Sequence, residues 1–534
     1  MPTLDWMGKK AVEKHHQEVP YHLLKCDEKL SVGDPGSGNL LVQGDNLLAL
    51  KALLPYYAGQ VKCIYIDPPY NTGNEGWVYN DAVNSPEMRE WLGKAVGREA
   101  EDYSRHDKWL CMMYPRLQLL RRFLREDGVI FVSIDENEIH HLRMLMAEVF
   151  GESCHVATLI WKSRHFTDTR PLSGVSADHE YVLVYGRSPG ARLRGKRKDF
   201  SKYKNPDDDP RGPWTSCSLL GKATREQRPN LHYDYHDPVT GRLFPCPPRT
   251  GWICAEETML GYAKERRLLY PRKPNGRLRV KVYAQELKSE HMGFPSVITE
   301  FATSDGTSEV RELLGDQVFS FPKPSMLVKT LVEQATEADS IVLDSFAGTG
   351  TTGHAVLALN TADGGDRRFL LVEMEEAIAR DVTVPRLSTA IAGYDRERRG
   401  KAEKVPALGG GFRYCTLGAP LFDAAGAISK EVRFAALAAH VYFTETGEPL
   451  PKSKNGKTPL LGIHNGTAIY LLFNGIMGDR SADGGNVLTG RILERLPRHD
   501  GPKVVYGEGS RLGPARLAHE GIAFRQIPYE VRTT

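Results

Sequence analysis

"SIVLDSFAGTGTTGHAVLALN", residues 340–360, reads as a strand, a glycine loop and a helix, in that order. Ile341, Val342 and Leu343 form a short apolar run that stops at Asp344. Gly348-Thr-Gly350-Thr-Thr-Gly353 follows in G-x-G-x-x-G spacing, and an Ala/Leu-rich helical segment leads away. Glycines there permit φ values closed to other residues and let the backbone approach a ligand. A second apolar run, "RFLLVEME" (368–375), ends in Glu373, about 20 residues beyond the loop, where an acid reaches ribose hydroxyls. Strand, loop, helix and acid together predict a Rossmann-like unit that binds a nucleoside cofactor. NAD and S-adenosylmethionine both carry such a ribose. Asp344 favours the second, because a carboxylate at the strand end suits an ammonium group and repels a pyrophosphate. Its purely structural alternative is a turn-stabilising or helix-capping aspartate.

The same alternation extends outward. "LLVQGD" (40–45) reads as a strand, and "NLLALKALLPYY" (46–57) has helical leucine spacing. "VKCIYI" (61–66), "VIFVSI" (129–134) and "EYVLVYG" (180–186) read as buried strands. Over 105–127, Trp109, Met112, Met113, Leu117, Leu120 and Leu124 recur at helical spacing until Gly128. Continuous apolar strands alternating with amphipathic helices predict an α/β fold with a mostly parallel sheet covered on both faces. After Gly186 the pattern breaks into Arg, Lys, Pro, Gly and aromatics, and "GGG" (409–411) marks a linker. The expected division is an N-terminal extension (1–38) ending in the turn-rich "SVGDPGSGNL" (31–40), a first catalytic half (39–186), an inserted recognition region (187–300), a cofactor-binding half (301–408) and a C-terminal α+β region (409–534).

At ~100–200 residues per domain, 534 residues allow two to four domains. The 70 Lys and Arg against 67 Asp and Glu exclude a wholly basic coat, though not a local basic face. Eight scattered cysteines without a Cys-x-x-Cys pair point away from a zinc site or a disulfide framework and toward a reducing cytoplasm; no metal ligands are assigned. No long apolar run or basic-then-apolar leader stands out, so a soluble chain without a membrane partner is expected. "NGKT" (455–458) lacks the glycine that a phosphate-binding loop needs before it.

In "VKCIYIDPPYNTGNEG" (61–76) another strand runs into Asp67-Pro68-Pro69-Tyr70. Ligands of open parallel sheets bind beyond the carboxyl ends of strands, so this tetrapeptide belongs on the rim of the same crevice. Its prolines fix φ and have no N–H group. The segment therefore presents acceptors, the Asp67 carboxylate and the Pro68 carbonyl, followed by the face of Tyr70. An exocyclic amine on a planar base offers the matching set: two N–H groups and a surface to stack. Such a nitrogen is conjugated with its ring and is a poor nucleophile. Accepting both hydrogen bonds draws its lone pair out of conjugation and toward a sulfonium methyl. The structural alternative is a strand-terminating turn with a buried tyrosine.

"DPPY" with "FAGTG" (346–350) resembles the amino-methyltransferases of DNA. The order, tetrapeptide first, then a variable region, then the cofactor loop, resembles their circularly permuted beta group. "DPPYNTG", "YPRLQLLRRFLREDGVIFVSIDENE" (114–138), "HEYVLVYGR" (179–187), "RPNLHYDYHDPVTGRLFP" (228–245) and "FPKPSMLV" (321–328) resemble the adenine-N6 methyltransferases that serve as modification (Mod) subunits of type III restriction systems. The likeness covers most of 38–400 and extends more loosely to "VVYGEGSRLGPARL" (504–517). Asp at the first tetrapeptide position is typical of adenine targets in that family, Ser of cytosine-N4 targets.

The resemblance implies transfer of a methyl group from S-adenosylmethionine to N6 of an adenine in duplex DNA, within a restriction–modification or related phage-defence system. Asp67 and the Pro68 carbonyl then hold the amine, Pro69 stiffens the segment and Tyr70 stacks on the flipped base. Asp344, Phe346, Gly348 and Gly350 surround the methionine end of the cofactor, and Glu373 binds the ribose. Lys323, Pro324 and Ser325 lie at the helix start that closes the cofactor site. Asp45 sits near the cofactor adenine, unless it only caps the next helix. A cytosine-N4 enzyme of the same fold and a non-catalytic DNA-locating subunit are the alternatives. A dehydrogenase accounts for the glycine loop but leaves the tetrapeptide without a role.

A base must leave the duplex before a methyl group can reach it, so something must grip the strands. The inserted region offers Arg192, Arg194, Lys196, Arg197, Lys198, Lys202, Lys204 and Arg211, then Arg266, Arg267, Arg272, Lys273, Arg277, Arg279 and Lys281. Tyr203, Trp214, Tyr233, Tyr235, Trp252 and Tyr270 interleave with them, a mixture suited to phosphate contact and stacking. A solvated loop is the bland reading of "RLRGKRK" (192–198). Residues 412–534 carry no motif with chemistry but are apolar enough to pack at "HVYFTE" (440–445) and "TAIYLLFNGI" (467–476). The resemblance, in which two Mod chains divide the work, implies a homodimer to which this region contributes, the alternative being that it merely caps the catalytic domain. DNA cleavage or translocation would fall to a partner helicase/nuclease restriction subunit.

Overall fold

Val61–Ile66 is buried at every residue, as a strand with both faces covered must be. Its neighbours in the computed structural model are Ile341–Asp344 on one side and Leu124–Ile134 on the other, both parallel to it. Residues 3–72, 98–169, 174–246, 249–271, 273, 276–315, 319–398, 401–423, 426–451, 458–478 and 485–527 are described. Arg272, Gly73 and most of "NGKT" lie outside them.

Among the described residues ten strands form one sheet. Their order is His22–Gly33, Gly411–Pro420, Leu40–Gln43, Arg368–Glu373, Ile341–Asp344, Val61–Ile66, Leu124–Ile134, Glu180–Gly186, His155–Trp161 and Val297–Ile298. From Gly411–Pro420 through Leu124–Ile134 every pair is parallel. Glu180–Gly186 is antiparallel to both its neighbours, and His22–Gly33 is an antiparallel edge. The fold is thus the expected α/β arrangement with a mostly parallel sheet. Helix Asn46–Tyr57 packs on Arg98–Phe123, and Ser325–Ala335 packs on Thr351–Asp363. One core of Leu, Ile, Val, Met and Phe side chains joins strands and helices from Trp6 to Phe443.

Several boundaries differ from those expected. His22–Gly33 belongs to the main sheet, so residues 1–38 are not an appendage; the strand alternates poorly because much of it is exposed. Gly411–Pro420 enters the same sheet beside Leu40–Gln43, so the "GGG" precedes a sheet strand and not a separate domain. Cys26 and Cys415 face each other across the edge pair and form a disulfide, against the expectation of a reducing environment without a disulfide framework. Their separation of 389 residues hides that pairing from any spacing rule.

The chain divides into two compact units, Met1–Arg194 with Pro295–Thr534, and Gly195–Phe294. The second is narrower than the expected 187–300. It holds a three-stranded sheet of Leu268–Leu269, Arg279–Tyr283 and Trp214–Ser218. Leu219, Tyr235, Trp252, Met259 and Val280 form its core. Within the first unit the C-terminal residues add a sheet in which Thr467–Leu471, Lys503–Gly507 and Ile522–Gln526 are parallel. Short helices Gly490–Arg495 and Pro514–His519 fall between successive strands, giving α/β rather than α+β connectivity. Helix Phe434–Thr446 packs on Asn46–Tyr57, and Phe443 enters the main core. Among the described residues no helix is long and apolar enough to cross a membrane.

Candidate active site

Parallel pairing with Leu343 opposite Ile64 brings Asp344 and Asp67 out at the same edge of the sheet. Glu373 ends the strand on the far side of Ile341–Asp344, and Gln43 pairs with it. The tetrapeptide, the glycine loop and the ribose-type acid therefore share one rim, as open parallel sheets place their ligand sites.

The tetrapeptide is clamped from several directions. The Tyr70 hydroxyl lies 2.9 Å from Asp67 Oδ1 and 2.9 Å from Glu180 Oε2. It has one proton to donate between them. Lys323 Nζ supplies the positive charge, 3.0 Å from Asp67 Oδ2 and 3.4 Å from Glu180 Oε2. It also lies 4.7 Å from the Tyr70 ring centre and 5.8 Å from that of Trp161, within cation–π range. Burial works against the Lys323 charge, yet Asp67 and Glu180 outweigh it and hold the ammonium above its ordinary range. Burial first, and then Asp67 and Glu180, push the Tyr70 phenol well upward, so the ring stays neutral. Trp109 Nε1 donates to the Pro69 carbonyl at 2.7 Å. Asn71, buried and at φ 60°, donates to Glu138 Oε1 at 2.5 Å.

On the cofactor side, Asp344 is 2% exposed and accepts from the Phe346 N–H at 2.9 Å and the Thr352 hydroxyl at 2.5 Å. Burial pushes its carboxyl up to about 7 against those hydrogen bonds, with the charges of Asp67 and Glu373 adding to the rise. Glu373 accepts from the Gly348 N–H at 2.7 Å and the Glu375 N–H at 3.0 Å. Burial raises it to about 7 as well. Among the described residues no Lys, Arg or His pairs with either acid. Gly348 and Gly350 take φ 49° and 81°, and a Cβ at Gly350 would come within 2.9 Å of Thr383. That close approach is why the loop demands glycine.

The other nominated residues are placed as follows. Phe346 is buried beside Asp344. Asp45 caps helix Asn46–Tyr57 by accepting from the Leu48 N–H at 2.9 Å, the structural role weighed for it, and lies 3.7 Å from Arg116. The Lys323 carbonyl accepts from the Thr351 hydroxyl at 3.4 Å, while its side chain reaches the tetrapeptide instead of the cofactor loop. Pro324 precedes helix Ser325–Ala335, and Ser325 donates to Glu309 through both N–H and hydroxyl. Glu309 in turn binds Arg386 at 3.0 Å, and Arg386 donates to Thr349 and Thr351 of the glycine loop. Burial works to raise Glu309, but Arg386, His354 and the Ser325 hydrogen bonds together outweigh it and hold the carboxyl below its ordinary range.

Much of the nominated basic and aromatic set is architectural. Arg194 lies outside the inserted unit and bonds the Thr336 carbonyl. Arg267 is held by the Lys281 carbonyl and Glu286 over the Tyr262 and Tyr283 rings. Lys281 is buried against Asp207 and Asp209, and Arg279 bonds Ser216. Tyr235 and Trp252 are core residues; Tyr233 and Tyr270 pack on them with satisfied hydroxyls. A small unit needs its large aromatics inside, and Tyr235 and Trp252 accordingly leave no ring face free for stacking. Arg192, Lys196, Arg197, Lys202, Lys204, Arg266, Lys273 and Arg277 are exposed, and Lys198 is half-buried with its ammonium on the Ser289 carbonyl.

Sequence reasoning missed Glu180, Trp161, Glu309 and Arg386, which meet the site only through the fold. It also missed a cluster of His106, Glu138 and His141 beside Asn71. Glu138 stood inside the quoted "SIDENE", but nothing in its spacing pointed to His106.

A Rossmann-like sheet carrying an Asp-Pro-Pro-Tyr corner beside a glycine loop defines an amino-methyltransferase fold, and residues 61–384 match the DNA methylase family. The chain belongs to that family. It is 33% identical over 420 residues to the type III restriction-modification enzyme StyLTI Mod subunit of Salmonella typhimurium, covering 73% of this chain and 60% of that one. It is 32% identical over 427 residues to the EcoP15I Mod subunit of Escherichia coli, covering 70% and 64%. To the type II methyltransferase M.KpnI of Klebsiella pneumoniae it is 29% identical over 395 residues, covering 68% and 89%. The chain thus spans less than two thirds of the length of the Mod subunits it matches.

Proposed function

We propose that this chain transfers the methyl group of S-adenosylmethionine to N6 of an adenine turned out of duplex DNA. The observation that carries the reading is the shared rim: Asp67 and Tyr70 beside the buried acids Asp344 and Glu373, on adjoining parallel strands. The two acids fit the cofactor. Both are buried without a cationic partner among the described residues, and each carboxylate has about four lone-pair sites. Two sites on Glu373 are filled by backbone N–H groups, leaving two for a vicinal diol. Asp344 suits the ammonium of the methionine end. The cofactor supplies an electrophilic methyl carbon on a positive sulfur.

This chain's residues do the rest. Asp67 already accepts from Tyr70 and faces Lys323, yet a carboxylate keeps further lone pairs for one amine proton. The Pro68 carbonyl, with no competing proline N–H beside it, takes the other. Both hydrogen bonds favour the tetrahedral nitrogen of the transition state over the planar one, which is how they lower the barrier. With the cofactor bound, Asp67 would stabilise the positive charge the amine gains as it takes the methyl group from sulfur, and the surplus proton would leave to Asp67 or water. Tyr70 offers a neutral face to the base. Lys323 holds Asp67 and Tyr70 in register.

The similarity to Mod subunits of type III restriction-modification enzymes supports a restriction–modification setting with a partner restriction subunit; a homodimer in the cytoplasm is the assembly proposed with it. The test is mass spectrometry of nucleosides from duplex DNA after incubation with isotopically labelled cofactor. Labelled N6-methyladenine is expected. Labelled N4-methylcytosine, or no label in DNA at all, would overturn the reading.

A further inference from the structure

Glu138 is the residue before helix Ile139–Phe150, and it is 0% exposed. Its Oε1 meets His106 Nδ1 at 2.5 Å and Asn71 Nδ2 at 2.5 Å; its Oε2 meets His141 Nδ1 at 2.8 Å. His141 follows Glu138 by one helical turn, so the two share a face. His106 comes from the separate helix Arg98–Phe123. One ligand atom from each of the three lies within 4.8 Å of the others.

Burying a carboxylate is costly unless a cation accompanies it. The donors that meet Glu138 are two imidazoles and an amide, and none carries a permanent charge. Two imidazole nitrogens and one carboxylate oxygen are also a donor set that zinc takes, with a fourth position left to water. Donor atoms around a tetrahedral zinc stand about 3.4 Å apart, given bonds of ~2.0–2.2 Å. The hydrogen-bonded pairs here need to part by less than about an ångström to admit such an ion, a change within reach of side-chain rotation. The side chains of His106 and His141 are 30% and 23% exposed, which gives an ion a way in.

We propose that His106, Glu138 and His141 bind one divalent transition-metal ion, zinc foremost. Each imidazole then presents the Nδ1 lone pair to the metal and carries its proton on Nε2. The ion joins the two helices and fixes Glu138. Through the Glu138–Asn71 hydrogen bond it anchors the backbone immediately after Tyr70. Its role is that of a structural staple for the tetrapeptide, and it takes no part in methyl transfer. Metal binding stands apart from the methyltransferase reading and fails or holds independently of it.

The test uses the full chain, stripped with a chelator and then titrated with zinc by calorimetry and with cobalt by visible absorption. One equivalent of each is expected, with cobalt giving the d–d bands of a low-coordinate site and zinc raising Tm. His106→Ala and His141→Ala each remove a ligand and should weaken zinc binding by more than the ~10–100-fold that losing even an outer-shell partner costs, with far-UV circular dichroism unchanged. The wild-type chain is measured first, so a variant that fails to fold does not blunt the test. Absence of saturable zinc binding to wild type, with Tm unmoved by chelator or zinc, means a hydrogen-bond network only and overturns the proposal. Stoichiometric binding that survives the double His→Ala variant overturns it equally.

Discussion

Cofactor binding should be steeply pH-dependent near neutrality if Asp344 and Glu373 receive it as proposed, because both acids are buried in the ligand-free chain. Burial pushes both the Asp344 and the Glu373 carboxyl up to about 7 in the ligand-free chain. Below that pH they are mostly protonated. An ammonium at Asp344 and ribose hydroxyls at Glu373 both favour the ionised form, so affinity is greatest above pH 7 and is lost as pH falls. A carboxyl with a pKa of about 7 is roughly 90% ionised at pH 8 and 10% at pH 6. Each acid therefore contributes up to about a tenfold rise in Kd over that interval, or ~1.4 kcal/mol, and the pair up to about a hundredfold. The stability of the ligand-free fold runs the opposite way: raised carboxyls stabilise it at acid pH, and that contribution is lost as pH rises through 7. Calorimetry of S-adenosylmethionine at pH 6, 7 and 8, in buffers of different ionisation enthalpy, measures both Kd and the protons released. Asp344→Asn should flatten about half of the dependence while weakening binding at pH 8. A Kd unchanged between pH 6 and 8, with no proton release, would refute this account of the two acids.

Asp67→Ala should lower the rate of methyl transfer by about a hundredfold or more and leave cofactor affinity close to wild type; tritium transfer to duplex DNA measures the first and calorimetry the second. Lys323→Met removes the charge between Asp67 and Glu180, which are 26% and 18% exposed. Solvent screening reduces the loss, so urea unfolding should show about 1–2 kcal/mol and methyl transfer should fall with it. Arg386→Ala strands Glu309 beneath the glycine loop and should cost about 3–5 kcal/mol; an unchanged urea midpoint contradicts the buried pairing. Light scattering should find a dimer for the full chain at micromolar concentration; a full-length monomer still active on duplex DNA would sink the dimer.

The central strands were legible because both of their faces are buried, which turns them into unbroken apolar runs: Val61–Ile66 and Glu180–Gly186 fall where the residues place them. Asp67, Asp344 and Glu373 were legible because each ends such a run, and strand ends are where parallel sheets bind ligands. His22–Gly33 was missed because an exposed edge carries no apolar period. The resemblance put Lys323 at the helix start beside the cofactor loop; its carbonyl does meet Thr351 there, but its long side chain crosses to Asp67, and rotamer direction has no sequence signature. Tyr235 and Trp252 were taken as stacking surfaces because aromatic residues serve cores and ligands alike. Only burial separates the two uses.

The position of Leu40–Gln43 in the sheet has a temporal consequence. Its two neighbours, Arg368–Glu373 and Gly411–Pro420, lie about 325 or more residues later in the chain. At ~5–20 residues per second, a ribosome needs roughly 16–65 s to deliver the first of them. During that interval an apolar strand has emerged with both hydrogen-bonding edges unsatisfied. Val61–Ile66 is better served, since Leu124–Ile134 follows soon after it. The nascent chain must therefore keep Leu40–Gln43 from pairing elsewhere, and slower translation lengthens its exposure. Yield of soluble protein should accordingly respond to chaperone supply and growth temperature more than to substitutions in the inserted unit.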